Sequence, residues 1–260
     1  MLIRVGHSAD PDDAFMVWAL ATNNVDTDGF EFELVPEDIQ VLNEWALEGR
    51  LEVTALSMAT YPLVEDRYDL LPHGASMGSG YGPIVVAREP MTLPELRDVE
   101  VVVPGRLTTA FRVLGMVLGP EFPHRPLPFD QITDEVKSGR AQAGLLIHEG
   151  QLTYADDGLV KVLDLGEWWL LDTGLPLPLG VNVVRRDVPR RDELSDVLLA
   201  SINAALENRD EAVAYALEFA RDLDTADASR FIEMYVNELT CDYGEEGRKA
   251  VEEFLRRVRA

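Results

Sequence analysis

Of the four histidines in the chain, His148 is the one placed for chemistry. It follows the apolar run Ala143-Gly144-Leu145-Leu146-Ile147, which reads as a strand, and so stands at the end of a strand where ligand sites of α/β sheets lie. An imidazole with an ordinary pKa of about 6.5 keeps a useful neutral fraction at neutral pH and can accept a proton. The adjacent Glu149 could orient it or raise its basicity. Neighbouring side chains on extended backbone point to opposite faces, however, so the two can diverge and the ring can be oriented instead from across a cleft. The plain alternative is a buried structural histidine. His7 and His73 sit beside loops, and His124, between Pro123 and Arg125-Pro126, reads as part of an exposed connection.

Hydroxyls form the second candidate group. Pro104-Gly105-Arg106-Leu107-Thr108-Thr109-Ala110 places Thr108 and Thr109 at a helix start, where they can cap the helix or donate to a substrate oxygen. Ser57, at the end of Val53-Thr54-Ala55-Leu56, could do the same, but no Gly-x-Ser-x-Gly elbow surrounds it or any other serine. Asp10-Pro11-Asp12-Asp13 resembles a metal-binding cluster without the glycine and glutamate of a calcium loop, and is better read as the acidic cap of a helix. The glycines between 74 and 82 lack the Gly-Lys-Ser/Thr ending of a phosphate loop, and no Gly-x-Gly-x-x-Gly follows the first strand. Cys241 is the single cysteine, so neither an intrachain disulfide nor a thiolate zinc site is available. These motifs lead to no expected metal or nucleotide site.

The elements that must position these residues alternate between short β-branched runs and helical patterns, which predicts an α/β fold with mostly parallel strands. Strands are expected at 2–6, 30–34, 53–56, 84–87, 99–103, 143–147, 160–164 and 181–185. One helix begins near Pro36 and turns Ile39, Leu42, Trp45 and Ala46 to one face before stopping at Gly49. Another runs from Thr108 to Leu118, and from Asp192 onwards four amphipathic helices follow without a strand. The segments 84–87 and 181–184 read as crossovers between two lobes. The expected division is a discontinuous larger lobe, 1–87 plus 184–260, and a smaller lobe, 88–183, with a ligand cleft between them.

Charge narrows the partners. Forty-seven acidic residues face 23 basic ones, a formal net charge of −24, which argues against nucleic acid and anionic membranes. The only lysines are Lys137, Lys161 and Lys249. Such a surface suits a halophilic source, in which strongly hydrated carboxylates stay soluble while salt screens their repulsion; an ordinary acidic cytosolic protein is the other reading. No run of 18 apolar residues occurs, and Met1-Leu2-Ile3-Arg4-Val5 enters a strand pattern at once, so a cytoplasmic protein acting on a small molecule is expected.

The motifs also carry a resemblance. Gly6-His7-Ser8, Asp12-Asp13-Ala14-Phe15, the run from Glu37 to Leu51, Pro104 to Ala110, Ile147-His148-Glu149, Leu163 to Trp169, Thr173 to Gly180 and Tyr235-Val236-Asn237 together resemble the 1,4-dihydroxy-6-naphthoate synthase family. That family acts on cyclic dehypoxanthine futalosine in the futalosine route to menaquinone. The resemblance implies a periplasmic-binding-protein-like fold of type II, two lobes joined by two crossover strands. The implied activity is a cofactor-free lyase that releases a dihydroxyacetone fragment. It also implies His148 as proton acceptor, with Thr108, Thr109 and Ala55-Leu56-Ser57 in contact with substrate and Asp38 and Asn43 lining the cleft; Glu149, beside His148, is expected at the same substrate site. One departure stands out: the family's Ser-Pro-Cys-Pro-Asn-Asp is Ser8-Ala9-Asp10-Pro11-Asp12-Asp13 here. A chorismate dehydratase of the same pathway and a non-catalytic solute-binding module would share these lobes and remain alternatives.

Overall fold

The computed structural model describes residues 1–220 and 223–259. The chain opens with β1 (Leu2–Ser8), α1 (Pro11–Ala21), β2 (Glu31–Glu37), α2 (Ile39–Glu48), β3 (Val53–Ser57), β4 (Tyr68–Leu70) and β5 (Ser76–Gly78). It continues through β6 (Ile84–Ala87), α3 (Leu93–Asp98), β7 (Val101–Val103), α4 (Thr109–Leu118), β8 (His124–Pro126), α5 (Phe129–Lys137), β9 (Ala143–Leu146), α6 (Gly150–Thr153) and β10 (Val160–Asp164). Then follow α7 (Leu165–Thr173), β11 (Leu177–Arg185), α8 (Arg191–Glu207), α9 (Arg209–Ala216), α10 (Thr225–Tyr235), α11 (Glu238–Cys241) and α12 (Gly244–Arg259).

Two sheets organise these elements. The first has the order β2-β1-β3-β11-β4, with β5 also paired to β11, and the second has the order β10-β6-β9-β7-β8. Pairing is mixed, not mostly parallel as expected: β1 runs parallel to β2 and β3, and β7 to β8 and β9, whereas β6 and β11 run antiparallel to every strand they touch. The reason is topological. β6 follows β5 of the first sheet and β11 follows β10 of the second, the latter through α7, so neither strand is reached by a crossover from a neighbour in its own sheet, the connection that makes neighbours parallel.

The expected lobe limits shift for the same reason. β6, placed by its sequence in the larger lobe, pairs wholly within the second sheet, and Leu177–Gly180 of β11, placed in the smaller lobe, belong to the first. The passages between sheets are residues 79–83 and 174–176. An apolar β-branched run looks alike whether it bridges two sheets or lies in one, which is why sequence alone put the crossings a few residues late. At the first passage, Gly166 permits close approach: a Cβ there would lie 1.9 Å from the Tyr81 carbonyl oxygen.

Local sequence explains the helices that face the cleft. Pro36 remains in β2, opposite His7, because β2 is an edge strand on which a missing N–H is tolerated. The helix expected from Pro36 therefore starts at Ile39, where Asp38 accepts a hydrogen bond from the Gln40 amide at 2.7 Å, and it ends at Gly49 in the left-handed region, φ 71°. Thr108 caps α4 by accepting from the Phe111 amide at 3.2 Å. α1 is buried on nearly every side beneath α8 and α9, and helices α8 to α12 complete the core around the first sheet without adding a strand. Among the described residues no helix is long and apolar enough to cross a membrane.

Candidate active site

The carboxyl ends of β1 and β3, the N-termini of α1 and α4, and the segment after β9 converge on one cavity between the sheets, with about 660 Å³ of atom-free space partly open to solvent. From the second sheet, β9 delivers Ile147 and His148; from the first come Ser8, Asp10, Asp12 and Asp13. His148 has φ 56°, a left-handed conformation unusual for a side chain with a Cβ and costing on the order of 1 kcal/mol. That turn aims the ring across the cleft. Its Nδ1 lies 2.5 Å from Asp10 Oδ2, and the Phe129 ring meets it edge-on at 4.6 Å between centroids.

Burial works against a charged imidazole, but the Asp10 carboxylate beside it overcomes this and carries the His148 pKa up to about 9, with smaller help from Glu149 and Asp38. Asp10 in turn stays well below the ordinary carboxylate range despite burial, through the charge and hydrogen bond of His148 and hydrogen bonds from Asp12 and Ser8. Its neighbours move the other way. Burial and the Asp10 and Asp13 charges push Asp12 far up, and burial followed by Asp10 raises Asp13 to about 7. The cleft floor thus holds the Asp10–His148 ion pair flanked by two carboxyls whose burial and neighbouring charges favour the protonated form.

Asp10, Asp12 and Asp13 bring carboxylate oxygens within 4.8 Å of one another and are the one group among the described residues that could hold a cation. Each is already engaged. Asp10 pairs with His148 and caps α1, Asp12 accepts from Ser76 Oγ at 3.1 Å, and Asp13 accepts from the Ser8 amide at 2.6 Å.

The residues expected at the site divide into three groups. Ala55, Ser57, Thr108, Thr109 and His148 line the cavity. Leu56 and Asn43 do not. Strand alternation between Ala55 and Ser57 turns the Leu56 side chain into the core, where it is fully buried, and Asn43 is equally buried. The Asn43 amide clamps Ser57, accepting from its N–H at 2.8 Å and donating to its Oγ at 2.9 Å, so that the serine hydroxyl hydrogen is left to point elsewhere. Asp38 caps α2 and lines a groove at the cleft rim with Pro104, Arg106 and Phe129, and Glu149 is buried outside the cavity lining.

The sequence leaves capping and donation to a ligand both open for the threonines; here Thr108 caps α4 and neither hydroxyl donates into the cavity. Thr108 Oγ1 donates to the Gly105 carbonyl at 2.8 Å, and Thr109 Oγ1 donates to the Leu179 carbonyl at 2.6 Å. Both hydroxyl hydrogens are spent within the protein. What α4 presents to the cavity is its N-terminus, whose backbone N–H groups and dipole favour an oxygen or carboxylate.

Sequence reasoning missed the partner of His148 by name. Asp10 read as a helix cap, which it also is; the available signal was its position directly after β1, at the carboxyl end of a central strand. Tyr235 and Gln151, which line the same cavity, were not singled out as site residues either; Tyr235 OH donates to Gln151 Oε1 at 2.6 Å, tying α10 to α6 across the cleft.

A family model described as menaquinone biosynthesis matches residues 3–260. A 1,4-dihydroxy-6-naphthoate synthase of Thermus thermophilus is 42% identical over 251 residues, 96% of this chain and 91% of the relative. One of Streptomyces coelicolor is 36% identical over 265 residues, 99% and 93% of the two chains. A solved protein of Archaeoglobus fulgidus superposes with a TM-score of 0.94 at 43% identity, covering 99% of this chain and 97% of that one. A Candida albicans protein described as having the generic periplasmic-binding-protein fold superposes at 0.70 with 11% identity, covering 100% of this chain and 90% of that one, a likeness of fold alone. The fold is periplasmic-binding-protein-like, and the chain belongs to the menaquinone-biosynthesis family, among the 1,4-dihydroxy-6-naphthoate synthases.

Proposed function

We propose that the cleft is the active site of a cytoplasmic carbon–carbon lyase that converts cyclic dehypoxanthine futalosine to 1,4-dihydroxy-6-naphthoate, releasing a dihydroxyacetone fragment. The observation that carries the reading is the His148–Asp10 pair, 2.5 Å apart at the floor of a cleft, in a chain 42% identical to a synthase of that name. Asp10 holds Nδ1, which leaves Nε2 of His148 for the substrate. In its neutral form Nε2 takes the proton of a substrate hydroxyl. The O–H electron pair becomes a carbonyl, the carbon–carbon bond breaks, and its electrons pass into the conjugated fragment as an enolate. The imidazolium then returns the proton. Aromatisation of the ring system supplies driving force, so the protein's share is placement, a base worth on the order of 10² to 10⁴ in rate, and exclusion of water.

A pKa of about 9 makes the resting ring an imidazolium at pH 7. Only about one molecule in a hundred carries the neutral base, and that base is correspondingly strong. Ser57 supplies a hydroxyl hydrogen and α4 its amides for substrate oxygens, and the Phe129 ring packs at a steep angle against the imidazole. Incubating the protein with cyclic dehypoxanthine futalosine and, separately, with chorismate tests the assignment. Naphthoate from the first and no turnover of the second is expected; turnover of chorismate alone, or tight binding of either without product, would replace this reading.

A further inference from the structure

Gln151 lies on α6, three residues beyond His148, and its backbone N–H donates to the His148 carbonyl at 3.2 Å, so one turn of chain carries both residues to the same cavity. Facing it, from the helices around the first sheet, is Tyr235 at the end of α10. The Tyr235 ring is buried and held edge-on by Phe231 and Tyr81, at 5.1 and 5.7 Å between centroids. Tyr81, in the passage 79–83 between the sheets, donates its own hydroxyl hydrogen to the Met234 carbonyl. The Tyr235 hydroxyl is thereby fixed in place, and the side chain it reaches is Gln151.

That partnership orients the carboxamide. A buried phenol hydrogen needs an acceptor, and Gln151 Oε1 supplies it at 2.6 Å. The carboxamide oxygen is therefore turned to Tyr235, and Nε2 with its two hydrogens is left for another partner. Among the described residues the bond to Tyr235 is the one hydrogen bond of this carboxamide, so neither Nε2 hydrogen is committed within the protein. The threonines at the start of α4 differ in this respect, since their hydroxyl hydrogens are spent on the Gly105 and Leu179 carbonyls. A donor anchored through its oxygen and open at its nitrogen can stabilise charge developing on a ligand oxygen without first reorganising.

We infer that Gln151 Nε2 donates to the substrate oxygen that becomes negative when the carbon–carbon bond breaks, and that Tyr235 positions it for this. The inference rests on the lyase reading, in which the electrons of the broken bond pass into the conjugated fragment as an enolate. The oxygen of that enolate is kept as a ring hydroxyl of the naphthoate. His148 takes the hydroxyl proton at one end of the electron flow, and the Gln151 carboxamide meets the charge at the other. Gln151 transfers no proton; it stabilises the oxyanion through its hydrogen bond alone. Gln151 follows β9 of the second sheet whereas Tyr235 belongs to the helices around the first, so the donor is held in place when the two lobes are together. Closure of the cleft and readiness of the donor are thus one event.

Saturation kinetics on Gln151→Met and Tyr235→Phe separate the donor from the tie between lobes. Tyr235→Phe loses the tie and keeps the donor, and Gln151→Met loses both. The inference predicts that kcat falls by about 10² or more in Gln151→Met, well beyond its fall in Tyr235→Phe. Equal losses in the two variants would mean that the carboxamide only joins the lobes, and would overturn it. Should Gln151→Met not fold, ligand binding to the wild-type chain decides, and it also separates this inference from the lyase reading. The probes are 1,4-dihydroxy-6-naphthoate, which carries the ring oxygens, and 2-naphthoate, which has the same carboxylate without them. Proton NMR of the Gln151 side-chain N–H groups should show one resonance moving downfield with the first probe and not with the second. No such movement with the first, or equal movement with both, overturns the inference and leaves the lyase reading standing. Binding of neither probe overturns the lyase reading and this inference with it.

Discussion

Replacing Asp10 by asparagine removes the charge that governs His148 while keeping the shape of the site. Asparagine caps a helix about as well as aspartate, so α1 keeps its start. In the wild type, burial pulls the imidazole down and Asp10 carries it to about 9. In Asp10→Asn the burial remains, opposed only by Glu149 and Asp38, and the ring moves back toward its ordinary 6.5. Asp13 loses its main repulsion at the same time and ionises more readily, restoring part of the field. The net fall is therefore expected to be at least about one unit, on the order of 1.4 kcal/mol of lost preference for the imidazolium. If His148 is the base, wild-type kcat/KM rises about tenfold per pH unit up to about 9, and in Asp10→Asn this limb moves to lower pH. The plateau drops as well, because a less basic and less firmly oriented ring pulls the proton more weakly. Initial rates from about pH 5 to 10 on both proteins provide the assay. A limb that stays in place, or a wild-type profile that falls toward pH 9, would refute the reasoning.

Other expectations follow from the same geometry. Asn43→Ala leaves the Ser57 amide without its buried acceptor, and thermal unfolding should show a loss of about 1–3 kcal/mol. Tyr235→Phe removes the cross-cleft bond to Gln151 and should raise KM more than it lowers kcat, as read from saturation kinetics. Because the folded-state pKa of His148 is raised, its pairing stabilises the protein fully below about 6.5 and is lost as pH rises through about 9. Melting temperature should fall across that window and fall less in His148→Gln. The net charge of −24 predicts a higher melting temperature in multimolar than in low salt; equal values would remove the halophilic reading.

How much of this was legible beforehand depends on how local the determinant was. His148 could be found because an apolar strand and a following imidazole are contiguous, and α2 and α4 because Asp38, Gly49 and Thr108 are punctuation that acts over a few residues. β4, β5 and β8 are three residues each, too short to leave a period. The ring's partner was hidden because Asp10 and His148 are far apart in sequence and meet only when the sheets face each other. Asn43 looked like a cleft residue because its helix borders the cleft; only packing reveals that its amide is turned to Ser57. The threonine hydroxyls were open to either reading until Gly105 and Leu179 proved to be their acceptors.

The account's central claim is that His148 moves the proton while other groups hold the substrate. Measuring substrate affinity and turnover together on wild type and His148→Ala tests this most directly. The claim predicts a dissociation constant within a few-fold of wild type, with release of naphthoate slowed by about 10² or more. Near-normal turnover in His148→Ala would contradict it, as would a loss confined to binding.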